Sequence, residues 1–98
     1  MSTLHILYSS EWPTALERLW SPGDSLLLAG ASASLALSPN GPLQQFMQRI
    51  DSGTAVMALE DAVHCRGLQP HWPNNIALIS SEAWVEAVIA HPKSLSWA

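Results

Sequence analysis

Cys65 is the chain's single cysteine and its one obvious candidate nucleophile. It lies in Glu60-Asp61-Ala62-Val63-His64-Cys65-Arg66-Gly67, a stretch that reads as a short helix ending at Gly67. Thiol chemistry needs the thiolate, which is favoured at a helix N-terminus or a strand-end loop near positive charge. Cys65 has the reverse setting. Asp61 lies one helical turn back and the negative end of the helix dipole just ahead, effects worth roughly 0.3–1 kcal/mol each against a thiolate. Ala58, Ala62 and Cys65 recur at spacings of four and three, so the thiol shares the side of Ala62. A packed, inert cysteine is the favoured expectation, with Cys65 kept as the one catalytic candidate.

Other chemistries find fewer residues still. His64 and His71 cannot share a helix face, and neither has an obvious second ligand nearby, so the histidines are expected on the surface or at interfaces and no metal is assigned. A Ser/His/Asp hydrolase would need a Gly-x-Ser-x-Gly elbow, which the sequence lacks. Glu60 and Asp61 sit where a strand gives way to a helix, and carboxylates there are favoured by the helix dipole without any catalytic role. Gly30-Ala31-Ser32-Ala33-Ser34 has one glycine and no Lys-Ser/Thr pair, so it is no phosphate loop. No cofactor is expected.

The elements that would position these residues alternate between strand and helix. Thr3–Tyr8 reads as a first strand; Pro13 opens a helix whose Leu16, Leu19 and Trp20 share a face, and Ser21-Pro22-Gly23 breaks it. Ser25–Ala29 is an unbroken apolar run, the pattern of a strand buried on both faces. Gly30–Leu37 fits either a loop or a short helix, and Ser38-Pro39-Asn40-Gly41-Pro42 is a turn. Leu43, Phe46, Met47 and Ile50 form the clearest helical stripe. Thr54–Leu59 makes a third strand before the Cys65 helix. Pro70–Asn75 reads as a rigid loop and Ile76–Ile79 as a fourth strand. Ser80 or Ser81 caps a last helix, with Trp84, Val85, Val88 and Ile89 expected to face inward, and His91-Pro92 ends it. Leu95–Trp97 is long enough for a terminal strand. This alternation predicts one α/β domain over residues 1–98, a small three-layer fold with a mainly parallel sheet of four to five strands and helices on both faces.

Strand ends are where ligands bind in open α/β sheets. Here they carry Tyr8-Ser9-Ser10, Gly30–Ser34, Leu59-Glu60-Asp61 and Ser80-Ser81-Glu82, with no cysteine, histidine or lysine among them. A pocket near Ser9 and Ser32 would suit a binding protein.

Composition points to company. Charged residues are 12% of the chain, about half the usual share, while 48% are apolar. A 98-residue domain with that balance leaves apolar surface uncovered, most simply in an obligate interface. Five tryptophans strengthen the expectation, because aromatic residues enrich contact patches. A net charge of −4 with four basic residues speaks against direct nucleic-acid binding. A lone cysteine excludes an internal disulfide and suits a reducing compartment. No apolar run approaches the roughly 20 residues of a membrane span, and Met1–His5 lacks a signal peptide's basic start, so a cytoplasmic, membrane-free location is expected.

Several segments together resemble the TusB/DsrH family, within the DsrE/DsrF-like sulfur-relay proteins. They are Thr3-Leu4-His5-Ile6-Leu7, Pro22-Gly23-Asp24-Ser25-Leu26-Leu27-Leu28, Ala58-Leu59-Glu60-Asp61 with Arg66-Gly67-Leu68, Ile76-Ala77-Leu78-Ile79, and His91-Pro92 with Ser96-Trp97. The resemblance implies a small parallel α/β domain working in a heterohexamer with TusC/DsrF-like and TusD/DsrE-like subunits. Such complexes pass sulfur as a cysteine persulfide, ending in the 2-thiouridine of the tRNA wobble position or serving dissimilatory sulfur oxidation. A downstream sulfur-carrier protein is a further implied partner. The principal acceptor cysteine belongs to the D/E-type subunit; some B/H-type members hold one in a strand-end loop, and Tyr8–Ser10 and Gly30–Ser34 hold none here. A non-catalytic subunit supporting tRNA thiolation is therefore the leading expectation. The alternatives are a sulfur-oxidation subunit, a persulfide carrier using Cys65, and a stand-alone, self-associating binding protein.

Overall fold

Four short apolar runs and a fifth that alternates with serine extend into strands: β1 (Thr3–Leu7), β2 (Ser25–Leu28), β3 (Val56–Leu59), β4 (Ala77–Ile79) and β5 (Lys93–Trp97). They are seen in a computed structural model that describes residues 3–21, 23–38, 40–50, 56–73 and 76–97. All neighbours pair in parallel, in the order β4-β3-β2-β1-β5. β2 sits at the centre, and Leu26, Leu27 and Leu28 are all fully buried. That position explains its unbroken apolar run, because both faces of a central parallel strand need covering.

Chain order then decides which face each helix covers. From β1 to β4 the strands step in one direction, so right-handed crossovers place the intervening helices on one face. These are α1 (Thr14–Leu19), a 3-10 helix (Gly30–Leu37), α2 (Pro42–Arg49) and α3 (Glu60–Cys65), with a further 3-10 turn (Gln69–His71) entering the expected rigid loop before β4. Their Leu16, Ala33, Leu43, Phe46 and Val63 pack with Leu7, Leu26, Leu28 and Val56 in the larger core. The return from β4 to β5 runs the other way and sends α4 (Ser81–Ala90) to the opposite face. There Trp84 and Ala87 pack on a smaller core of Leu4, Ile6, Leu27 and Ala29. Helices thus lie on both faces, in an uneven ratio.

Local chemistry sets the element ends. Pro42 opens α2 from Gly41, and Ser80 caps α4 by accepting a hydrogen bond from Ala83 N at 3.2 Å. α3 closes in a Schellman motif: Leu68 N donates to Val63 O and Gly67 N to His64 O, both at 3.1 Å. Gly67 takes a φ of +64°, which a side chain would resist. Leu68 packs back on the core that holds Val63.

Two expectations need correction. Leu19 is exposed while Leu16 is buried, because α1 is only six residues long and ends at Leu19, pointing that side chain away from the sheet. In α4, Val85, Val88 and Ile89 face outward, and only Trp84 of the expected inward set packs on the sheet. The five tryptophans are all half-buried. Trp20 stands edge-on to Phe46 at 5.1 Å, Trp12 tilts against it at 5.3 Å, and the Trp72 indole donates to Ile76 O. Smaller differences concern bounds. β5 begins at Lys93, two residues before the expected terminal strand, and the ambiguous Gly30–Leu37 stretch is a 3-10 helix. Thr54 and Ala55 of the expected third strand, Pro22 and Pro39 of the two turns, and Asn74 and Asn75 of the rigid loop lie outside the described residues.

Candidate functional site

The connections leaving β3 and β4 go to opposite faces, α3 on one side and α4 on the other, so the strand order reverses its sense there. Such a switch point is the usual ligand crevice of an open α/β sheet. Its rim carries Glu60 and Asp61 from the start of α3 and Ser80 and Ser81 from the start of α4. The Ser81 hydroxyl donates to Asp61 Oδ2 at 3.5 Å, and Ser80 Oγ is engaged in capping α4. Two adjacent carboxylates and two hydroxyls offer neither a nucleophile nor a general base with a partner. Among the described residues, no three His, Cys, Asp or Glu side chains converge to hold a metal ion.

The remaining strand ends are occupied by structural bonds. Ser32 is buried and its hydroxyl donates to Leu7 O and Ala29 O, tying the 3-10 helix to the ends of β1 and β2. Ser9 Oγ accepts from Glu11 N in a tight turn. The hydroxyls expected to line a pocket near Ser9 and Ser32 are therefore used to shape the backbone.

Cys65 is the last residue of α3 and is exposed to solvent. The expectation of a packed thiol fails because the helix stops there: Ala62 and Val63 turn into the core, and the chain leaves through Arg66 and Gly67. Five residues of helix rise separate Cys65 from Glu60, about 7.5 Å along the axis. Cys65 thus sits at the opposite end of α3 from the switch-point rim. The Arg66 guanidinium reaches back to Ala62 O at 3.4 Å, answering one carbonyl of the helix end.

The most developed polar constellation was not anticipated. His5 is fully buried in β1, correcting its expected surface place, and His5 Nε2 lies 3.0 Å from Asp24 Oδ2. Trp97 Nε1 donates to His5 Nδ1 at 3.2 Å. An indole N–H only donates, so Nδ1 must accept, and the ring proton sits on Nε2 facing Asp24. Asp24 also accepts from Thr3 N at 2.8 Å and Ser21 N at 3.0 Å. Burial pushes the Asp24 pKa up, but the His5 hydrogen bond and the Ser21 and Thr3 N–H groups outweigh it and hold the carboxyl below its ordinary value. Trp20 and Trp97 stack on the His5 ring at 5.3 and 6.2 Å. With both ring nitrogens engaged and the imidazole sealed from solvent, the group ties β1, β5 and the turn before β2 together. The sequence signal was present in the alternation of β1, where His5 falls on the same side as Leu7. His91 is likewise structural: its ring meets Ala87 O and Ser25 Oγ at the end of α4.

What remains open is the outward side of α4. Val85, Val88 and Ile89 are 56%, 38% and 78% exposed. Leaving them uncovered forgoes roughly 3–5 kcal/mol of burial free energy, a large share of what a small domain has in total. The uncovered apolar surface expected from composition is thus present, carried by aliphatic side chains on one helix.

Residues 8–94 match the family described as DsrH-like protein. Protein TusB of Escherichia coli strain K12 is 34% identical over 97 residues, covering 96% of this chain and 99% of that protein. Protein TusB of Escherichia fergusonii is 33% identical over the same span and coverage.

Proposed function

Since this chain belongs to the DsrH-like (TusB/DsrH) family, we propose that it is a non-catalytic subunit of a sulfur-relay complex, supporting persulfide transfer toward 2-thiouridine at the tRNA wobble position. Its partners are TusC/DsrF-like and TusD/DsrE-like subunits in a heterohexamer, with the acceptor cysteine on the D/E-type subunit. A downstream sulfur-carrier protein receives the sulfur, and the work is done in the cytoplasm. The observation that carries the reading is the chemistry of the strand ends. Tyr8–Ser10, Gly30–Ser34, Glu60-Asp61 and Ser80-Ser81 hold no thiol; the Ser9, Ser32, Ser34 and Ser80 hydroxyls are bonded to backbone, and that of Ser81 to Asp61. The exposed stripe on α4 supports assembly. No helix among the described residues is long and apolar enough to cross a membrane.

A second reading makes Cys65 a persulfide carrier, and its solvent exposure favours it. One experiment separates the two. The native assembly is purified through this chain, its subunits are identified by mass, and it is loaded from a persulfide donor before peptide mapping. The proposal expects DsrE- and DsrF-type partners with labile sulfur on the partner's cysteine. Labile sulfur on Cys65 would transfer the carrier role to this chain, and partners drawn from sulfur oxidation would move the complex to that branch.

A further inference from the structure

Val85, Val88 and Ile89 recur on α4 at spacings of three and four and form one exposed aliphatic stripe. Glu82 and Glu86, four apart and both exposed, run beside it, and the helix carries no lysine or arginine. We propose that this outer side of α4 is the docking surface for a different subunit, one presenting an apolar centre with lysine or arginine along one margin. The proposal rests on the reading of the chain as a relay subunit and adds which surface docks and what meets it.

Charge selects the occupant. A two-fold contact between copies would place the same patch on both sides, bringing two Glu82–Glu86 rows to one small apolar centre. Each copy carries a net charge of −4, and none of its four cations is on α4: Arg18 is on α1 across the sheet, and Lys93 alternates with the β5 serines to the side away from α4. Arg49 pairs with Glu17, and Arg66 is turned to its own helix end. A partner with a basic margin removes that repulsion and fixes the register of docking, the usual work of charges around an apolar centre. The sheet beside α4 leaves room for it. By the register Leu4↔Ser94 and Ile6↔Ser96, the two β5 serines lie on the α4 side of the sheet, and both are exposed. Their small side chains let another chain approach closely.

The test uses the full chain co-expressed with its relay partners, with assembly read by native mass spectrometry and affinity by titration. Val85→Glu and Ile89→Glu are expected to weaken assembly by about tenfold or more. Glu82→Lys with Glu86→Lys is expected to weaken it too, by an amount that shrinks as salt is raised. Leu19→Glu is the control, since Leu19 is 54% exposed on the other face of the sheet and should leave assembly unchanged. Thermal unfolding of each isolated variant separates lost docking from lost folding. Wild-type assembly by Ile89→Glu and Val85→Glu overturns the docking surface while the relay reading stands. A wild-type chain that recruits no relay subunit overturns the relay reading and this inference with it. A wild-type homodimer that Ile89→Glu dissociates overturns the choice of occupant.

Discussion

Replacing Asp24 with alanine would strand three donors at once: Thr3 N at 2.8 Å, Ser21 N at 3.0 Å and His5 Nε2 at 3.0 Å. Each bond to a charged acceptor is worth about 1.5–3 kcal/mol, and relief of the carboxylate's own desolvation offsets part of the sum, leaving a cost of about 3–5 kcal/mol. Asparagine tells more. Its single oxygen can serve either the Thr3 side or the side shared by Ser21 and His5, so its amide always opposes at least one donor. His5 cannot escape by changing tautomer, because a proton on Nδ1 would face the Trp97 N–H. Asp24→Asn is therefore expected to cost about 1–3 kcal/mol. Urea unfolding followed by tryptophan fluorescence suits the assay, since Trp20 and Trp97 lie on the His5 ring. For a domain of this size the alanine variant should lose roughly 15–30 °C in Tm. Acid adds a second readout. The Asp24 pKa is depressed in the folded state, so its contribution is fully present above the ordinary value of 3.8 and is lost as pH falls through the folded pKa. The stability gap between wild type and Asp24→Asn should accordingly narrow below that pH. A wild-type urea midpoint for Asp24→Ala, or a gap that holds constant on acidification, would refute the assignment.

Three further outcomes follow from the geometry. Gly67→Ala should destabilise by about 1–2 kcal/mol in chemical denaturation. A Cβ there meets no atom within 4 Å, so the whole cost is backbone conformation at φ +64°. Ser80→Ala should lose about 1 kcal/mol through the α4 cap, and hydrogen exchange should rise first in residues 81–84. Cys65→Ser should leave folding, assembly and sulfur transfer unchanged, since the exposed side chain packs on nothing in the core; a loss of transfer in a reconstituted relay would assign the carrier role to Cys65.

The layout of the strands was legible because burial writes itself into local runs. Ser25–Leu28 could be read as a central strand, since a parallel strand covered on both faces needs apolar residues at successive positions. Leu43, Phe46 and Met47 gave α2 away by period, and the Ser80-Ser81 pair announced the start of α4, with Ser80 the cap. The same local logic misread α4 itself. A stripe of valine and isoleucine predicts burial, and it does so whether the cover comes from the chain's own sheet or from another protein. Cys65 was placed on its helix correctly yet assigned the wrong environment, because helical spacing from Ala62 cannot show that the core ends at Val63, two residues earlier.

Sequence by itself determined the elements, the parallel α/β class and the poverty of catalytic groups at the strand ends, because each is fixed by residue type and short-range period. Only the tertiary structure decided how those elements meet. His5 and Trp97 are separated by 92 residues, and they touch because β5 returns to pair beside β1. That same return sends one helix alone to the second face. Four helical segments bury residues on the first face, whereas α4 can turn only Trp84 and Ala87 inward and must leave Val85, Val88 and Ile89 outside. A helix ten residues long has one inward side, and the strand order determined that nothing else among the described residues covers the other.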